Sequence, residues 1–299
     1  MTDRYIEYLR TIRRYSPRTC EIYRGVLDGY FAFADTLDST QIRNYEVYLM
    51  DDRKLDPRTV HLHLSVLSGY CRFLMKEGLL EANPVRLVTR PKVEKRLPVF
   101  YREESMKEYL EKTRGVPEYG SYDARLRRMT VSILYMTGMR RSELISLNRN
   151  SFDPSRRVMR VRGKGDIMRE IPLLPSLCEE ISLYLQQADS LKCCDTGPEG
   201  PLLQTRQGGR LYPVFVDRAI KKELGEVEGI TGRKSPHVLR HTLATELLDE
   251  GADLNSIKEL LGHSSLAATQ VYTHNTIERL QSVYSNAHPR AKNGCKNGD

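Results

Sequence analysis

Four short clusters in this 299-residue chain carry side chains whose types and spacing could do chemistry. In Thr137-Gly138-Met139-Arg140-Arg141-Ser142-Glu143-Leu144, a glycine precedes a helical pattern whose first turn offers Arg140 and, three residues on, Glu143. An arginine at a helix start is an anion seat; the same pair is equally an ordinary i,i+3 ion pair of a solvated face. Lys164 stands between Gly163 and Gly165, where it is either simply exposed or free to swing toward a closely approaching molecule. Ser235-Pro236 supplies a cap and a first-turn proline, after which His237, Arg240 and His241 fall at i, i+3 and i+4 on one face. Leu239, Leu243, Leu247 and Leu248 form the expected buried side of that helix. Finally, Gly262 ends a helix, His263 sits in the break, and Tyr272 follows nine residues later on a short helix. A tyrosine taken alone, one of 17, is ordinarily packing.

Together the clusters describe one kind of target. Two arginines, a lysine and histidines without clustered acids suit a phosphodiester and its pentavalent transition state. Arginines neutralise the non-bridging oxygens, a histidine exchanges protons near neutral pH, and a lysine protonates a leaving sugar oxygen. A phenol becomes a usable nucleophile where cations favour its ionised form. Magnesium-dependent nucleases need a set of carboxylates to hold the metal, and no such set accompanies these residues. His237 and His241 have zinc spacing, but the residues between them are Val238, Leu239 and Arg240, with no general-base glutamate and with an arginine opposing a cation. The expectation is a site with no metal and no cofactor.

Composition agrees with a polyanion partner. The formal net charge is +8 and the hydrophobic fraction 39%, which describes a basic, polar, globular chain without separating DNA from RNA or a membrane surface. No apolar run approaches the ~20 residues of a bilayer span, and the first residues lack a secretion signal. A cytoplasmic protein without membrane association is expected. The six cysteines form no C-x-x-C pair, so free thiols are the simple account. His61 and His63, two apart in a helical pattern, point to different faces and suit no metal.

The elements that must position the clusters divide in two. Residues 1–88 read as helices, with Ile22, Val26, Leu27, Tyr30 and Phe31 at helical spacing over 18–33, and further patterns over 40–50 and 57–76. Residues 89–98, bounded by prolines and dense in charge, are a linker. It would let two basic domains wrap a duplex as a C-shaped clamp, or serve as a passive hinge. Residues 99–285 form the second domain: helical patterns over 102–112, 124–137, 177–187 and 214–224, with a β-hairpin over 158–173 that carries Lys164 at its tip. Residues 286–299 are a polar, mobile tail. The expected class is mainly α with a small β-sheet.

TGMRRSELISL, VRGKGDIMREIPL and SPHVLRHTLATELLDEGADLNSIKELLGHSSLAATQVYTH resemble the tyrosine recombinase (phage integrase) family, and within it the bacterial Xer-type recombinases. The resemblance spans essentially the whole chain, with residues 1–88 similar to the family's core-binding, SAM-like domain and 99 onward to its catalytic domain. It implies that Arg140 and Arg240 bind the scissile phosphate, His237 is the acid/base histidine, Lys164 protonates the leaving 5′-oxygen and His263 supports the phosphate. Tyr272 would be the nucleophile of a 3′-phosphotyrosyl intermediate, with Glu143 and His241 in supporting roles. It further implies double-stranded recombination sites as partners, a homo- or hetero-tetramer on DNA, a septal DNA translocase as activator, and chromosome dimer resolution. A mobile-element integrase or invertase, or a non-catalytic DNA-binding regulator, are the alternatives. Glu246 departs from the pattern, since Xer-like sequences commonly carry histidine there.

Overall fold

Capped prolines set where helices begin. In the computed structural model, which describes residues 1–93, 100–114, 121–163 and 166–262, the chain divides into two units, Met1–Leu97 and Pro98–Asp299. The first contains α1 (Thr2–Thr11), α2 (Pro17–Phe31), α3 (Ser39–Asp51) and α4 (Pro57–Lys76). Ser16 accepts a hydrogen bond from the Thr19 N–H just ahead of Pro17, and Asp56 accepts from Arg58 ahead of Pro57. Asp38 does the same for α3 through the N–H groups of Thr40 and Gln41. Each cap satisfies donors that the first helical turn leaves unpaired.

Leu27 and Tyr30, Ile42 and Tyr45, and Leu64, Leu67 and Tyr70 bring three helix faces into one core. Tyr30 meets Tyr45 edge-to-face at 5.1 Å, the arrangement ring quadrupoles favour. Helix α1, which spacing had not singled out, joins this core through Tyr5, Ile6 and Leu9. Ile22, expected to face inward, is exposed; it lies two positions off the stripe through Cys20, Leu27 and Tyr30. His61 engages the Pro91 carbonyl and His63 the Tyr45 hydroxyl, so the two rings have separate partners.

The second unit contains α5 (Glu103–Lys112), α6 (Tyr122–Thr137), α7 (Arg141–Ser146), β1 (Phe152–Asp153), β2 (Val158–Arg162), β3 (Met168–Pro172), α8 (Pro175–Asp189), α9 (Pro213–Glu223), α10 (Pro236–Asp249) and α11 (Leu254–Leu261). The mainly α class with one small sheet is as expected. Helix α6 is buried along nearly its whole length and packs against α8, α9 and α10. That explains why its sequence is apolar on more than one face. The strands order β1-β2-β3, all antiparallel, and the hairpin register pairs Val161 with Arg169 and Arg162 with Met168. Strand β1 is too short for alternation to reveal. No described helix is long and apolar enough to cross a membrane. Residues 94–98 of the linker, Lys164, His263, Tyr272 and the segment 286–299 lie outside the described residues.

Candidate active site

Gly138 ends α6 in the left-handed region (φ 61°), where an added Cβ would stand 2.6 Å from Leu261 Cδ2. Conformation and close approach therefore both demand glycine here. The chain then turns, and Arg140 is the residue before α7, with extended backbone (φ −73°, ψ 152°). Spacing had placed it inside the first turn. The difference comes from Glu143, whose carboxylate reaches back to accept the Arg140 N–H at 2.7 Å, half of a capping box.

Glu143 is 3% exposed and accepts three further bonds: from Arg140 Nη1 at 2.8 Å, and from Arg169 Nη1 and Nη2 at 2.9 and 2.8 Å. A carboxylate has about four acceptor positions, so this one is full. Burial pushes its pKa up, but the bonds and charges of Arg169, and then of Arg140, outweigh burial and hold it below the usual carboxylate range. Glu143 is thus an anion that orients cations.

Arg240 comes from α10. Pro236 begins that helix as expected, but Ser235 makes no side-chain cap bond. Leu239, Leu243 and Leu247 are buried, whereas Leu248 is 45% exposed. His237 and His241 stand exposed while Arg240, at 8% exposure, is inserted between α6 and α11. Its Nη1 donates to the Gly138 carbonyl at 2.7 Å and its Nη2 to the Leu261 carbonyl at 2.6 Å. The three residues therefore reach different depths, although spacing puts them on one side of the helix.

The end of α11 gathers three arginines. Arg169 Nε donates to the Leu260 carbonyl at 3.3 Å, Arg240 to that of Leu261, and Arg140 Nη2 to that of Gly262 at 2.8 Å. These are carbonyls that a helix end leaves unpaired, and the negative end of the helix dipole favours cations. Gly262 closes the helix in the left-handed region (φ 66°), with Arg169 Cζ 3.0 Å from where a Cβ would be.

Three guanidiniums against the single carboxylate of Glu143 leave a local charge of +2 (three minus one). Among the described residues no carboxylate pairs with Arg240. Burial first, and the neighbouring Arg140 charge second, push its pKa down to about 10. Both pressures are relieved by an anion bound beside it. Partial desolvation, followed by the positive charges of His241, Arg141, Arg240 and Arg233, lowers the pKa of His237. The ring is held neutral near pH 7 and can accept a proton. Arg141 is itself paired with Asp217 of α9 at 2.6 Å.

Of the residues singled out by sequence, Arg140, Glu143 and Arg240 meet in one cluster, with His237 and His241 at its exposed edge. Lys164, His263 and Tyr272 lie outside the described residues. The residue that sequence reasoning missed is Arg169. A signal existed: on β3 it alternates in phase with Ile171, so a charged side chain occupies the buried face of a strand.

The phage integrase family model matches residues 102–279, and the model of that family's N-terminal SAM-like domain matches residues 2–78. A relative from Chlorobaculum parvum, named tyrosine recombinase XerC, is 32% identical, across 96% of this chain and 94% of its own. Another of that name, from Pelotomaculum thermopropionicum, is 35% identical across 97% and 98%. Among solved structures, the Tn1549 transposon integrase in complex with circular intermediate DNA superposes with a TM-score of 0.67 at 18% identity, covering 93% of this chain and 97% of that one. The last comparison shows a shared fold.

Proposed function

The chain belongs to the phage integrase family of tyrosine recombinases, and from this premise we propose a site-specific recombinase that cleaves and rejoins DNA through Tyr272. The observation that carries the reading is the pair Arg140 and Arg240 on the end of α11, where Arg140 shares Glu143 with Arg169 and buried Arg240 pairs with no carboxylate among the described residues. A phosphodiester brings one negative charge and its pentavalent transition state two, which matches the local +2 and favours the transition state over the ground state.

In this reading the Tyr272 oxygen forms a bond to the scissile phosphorus as the bond to the 5′-oxygen breaks. The phenol proton passes to a neutral base, for which His237 is suited, and Lys164 gives a proton to the leaving 5′-oxygen. His263 supports the phosphate and His241 the histidine side of the site. The incoming 5′-hydroxyl reverses the step on a partner duplex. The phosphotyrosyl link conserves the phosphodiester energy, so no ATP is consumed. The guanidiniums supply the charge stabilisation a metal would supply, so none is required.

Residues 1–88 act as the core-binding domain and 99–285 as the catalytic domain, joined by 89–98 and clamped on double-stranded DNA. The role is Xer-type chromosome dimer resolution in the cytoplasm, by a tetramer of this chain alone or with a second recombinase, activated by a septal DNA translocase. Support comes from the two XerC relatives, matched over nearly their full length.

The test is capture. Purified protein is incubated with sheared genomic DNA in chelator, and the DNA covalently joined to it is sequenced. Adducts at one chromosomal site, absent with Tyr272→Phe, are expected. Adducts only at mobile-element ends would replace the chromosomal role with integration or inversion. Adducts that survive Tyr272→Phe would remove the nucleophile.

A further inference from the structure

We propose that Arg169 is a positioning residue of the cleavage site: by holding Glu143 and the end of α11 together it aims Arg140 at the scissile phosphate. The inference rests on the recombinase reading and goes beyond it, because Arg169 has no direct route to the reaction. Its side chain is 4% exposed and turned inward from β3, so whatever it does must pass through its neighbours.

Those neighbours belong to three separate elements. Both terminal nitrogens of Arg169 go to Glu143, at the start of α7, and Nε goes to the Leu260 carbonyl, at the end of α11. Glu143 spends its remaining capacity on Arg140, through Nη1 and the backbone N–H. Arg140 then completes the loop by donating to the Gly262 carbonyl, one residue from the end of the helix that Arg169 grips. Arg169 and Arg140 thus hold the same carboxylate and the same helix end, one from beneath and one, less buried, from the side open to a ligand.

Without Arg169 the carboxylate would face its burial with one cation instead of two. Arg169 is the foremost of the influences that keep Glu143 ionised, and a protonated Glu143 offers Arg140 fewer acceptors. Arg140 would then be free to sample rotamers that miss the phosphate, and orientation of this kind governs rate more than affinity. A lysine cannot replace the arginine: it keeps the charge but lacks the planar fork that makes two parallel bonds and a third behind them.

The experiment uses the full chain and the nicked duplex made from the captured site, on which trapped adduct accumulates over hours and slow variants stay measurable. Wild-type adduct on that duplex checks the recombinase reading, and the variants then check Arg169. We expect Arg169→Lys to bind the duplex within about twofold of wild type and to form adduct roughly 30- to 100-fold more slowly. In an Arg140→Ala background the same change should slow adduct formation by less than about threefold, because the residue it acts through is gone. A merely structural arginine would weaken both backgrounds by the same factor, and that result overturns the proposal. So does Arg169→Lys cleaving within about threefold of wild type. Should Arg169→Lys not fold, Glu143→Gln/Arg169→Met removes both buried charges together; it must then show the slow cleavage with DNA binding retained, and normal cleavage by it overturns the proposal equally.

Discussion

Among the described residues of the second unit are two buried arginine–glutamate pairs, and they are built for different ends. Arg128 of α6 meets Glu180 of α8 at 2.6 and 3.2 Å, and its Nε and Nη2 also reach the Thr113 hydroxyl and the Leu110 carbonyl. All three guanidinium nitrogens are spent on α8 and on α5 and its C-terminal cap, and the charges of Arg128 and Glu180 cancel. The pair Arg169–Glu143 is as buried and as bidentate, yet Glu143 is shared with Arg140, and Arg240 stands nearby with carbonyls alone as its partners among the described residues. The first joint is electrically closed. The second has one cation too many at each end, which is the condition of a site that waits for an anion. Burial and bidentate geometry therefore do not tell scaffold from function; the local sum of charge does.

The largest expected effect separates the two joints. Arg128→Met takes the guanidinium away from the buried Glu180 carboxylate, the Thr113 hydroxyl and the Leu110 carbonyl, which costs about 3–5 kcal/mol. Urea unfolding should show this loss, while adduct formation per folded molecule stays near wild type. Loss of cleavage without loss of stability would make Arg128 part of the site and break the distinction.

Glu143→Gln should also cost stability, because it leaves the buried Arg169 without its carboxylate, but unlike Arg128→Met it should slow cleavage per folded molecule. The amide keeps the shape but not the charge that organises two arginines. Adduct formation is expected to fall about 100-fold, near 2.7 kcal/mol in barrier. DNA affinity by gel shift should change by less than threefold.

A third buried carboxylate, Glu246, has no arginine or lysine paired with it among the described residues. It accepts the Tyr135 hydroxyl through both oxygens, at 3.0 and 2.8 Å. Burial, with Glu103, Glu104 and Asp249 adding repulsion, pushes its pKa up from 4.5 to about 8. Between those values the folded chain holds a proton that the unfolded chain has lost, so its contribution to stability is complete below about pH 4.5 and fades as pH rises toward 8. Glu246→Gln should therefore raise Tm by roughly 2–4 °C at pH 8, about 1 kcal/mol, and by little at pH 5. An equal gain at both pH values would show that the carboxyl does not titrate in this window.

The smallest effects compare two left-handed glycines. Gly78, after α4, has nothing within 4 Å of an added Cβ, whereas the Cβ at Gly262 would meet Arg169 at 3.0 Å. Gly78→Ala should cost only the backbone strain, about 1 kcal/mol. Gly262→Ala should cost that much and slow adduct formation several-fold as well. Equal cleavage by the two variants would argue that the end of α11 has no part in the seat.

Much of this was legible in the sequence. Helical spacing marked α2, α3 and α4, glycines marked the ends of α6 and α11, and the hairpin pattern marked β2 and β3. The residue types of the site were legible as well, since arginines and histidines without a cluster of acids admit few substrates. Other features were hidden for physical reasons. Strand β1, two residues long, is too short for a period to stand out. Arg140 was displaced to a cap because Glu143 reached back, a choice made by one hydrogen bond. Arg169 looked like one more basic residue in a basic hairpin, and only the phase of β3 turns it inward.

The sequence by itself determined which chemistry is possible, because side-chain type fixes charge, proton affinity and donor geometry wherever the chain places them. It also determined the local elements, through caps, prolines and left-handed glycines that act within a few residues. Tertiary structure alone decided that the carbonyls of residues 260–262 would receive arginines from a loop, a strand and a helix. Those contacts join residues up to 122 positions apart. Arginines left exposed would be satisfied by water, whereas these three, packed against the end of α11, are satisfied by carbonyls, and those facing a ligand keep their charge for a phosphate.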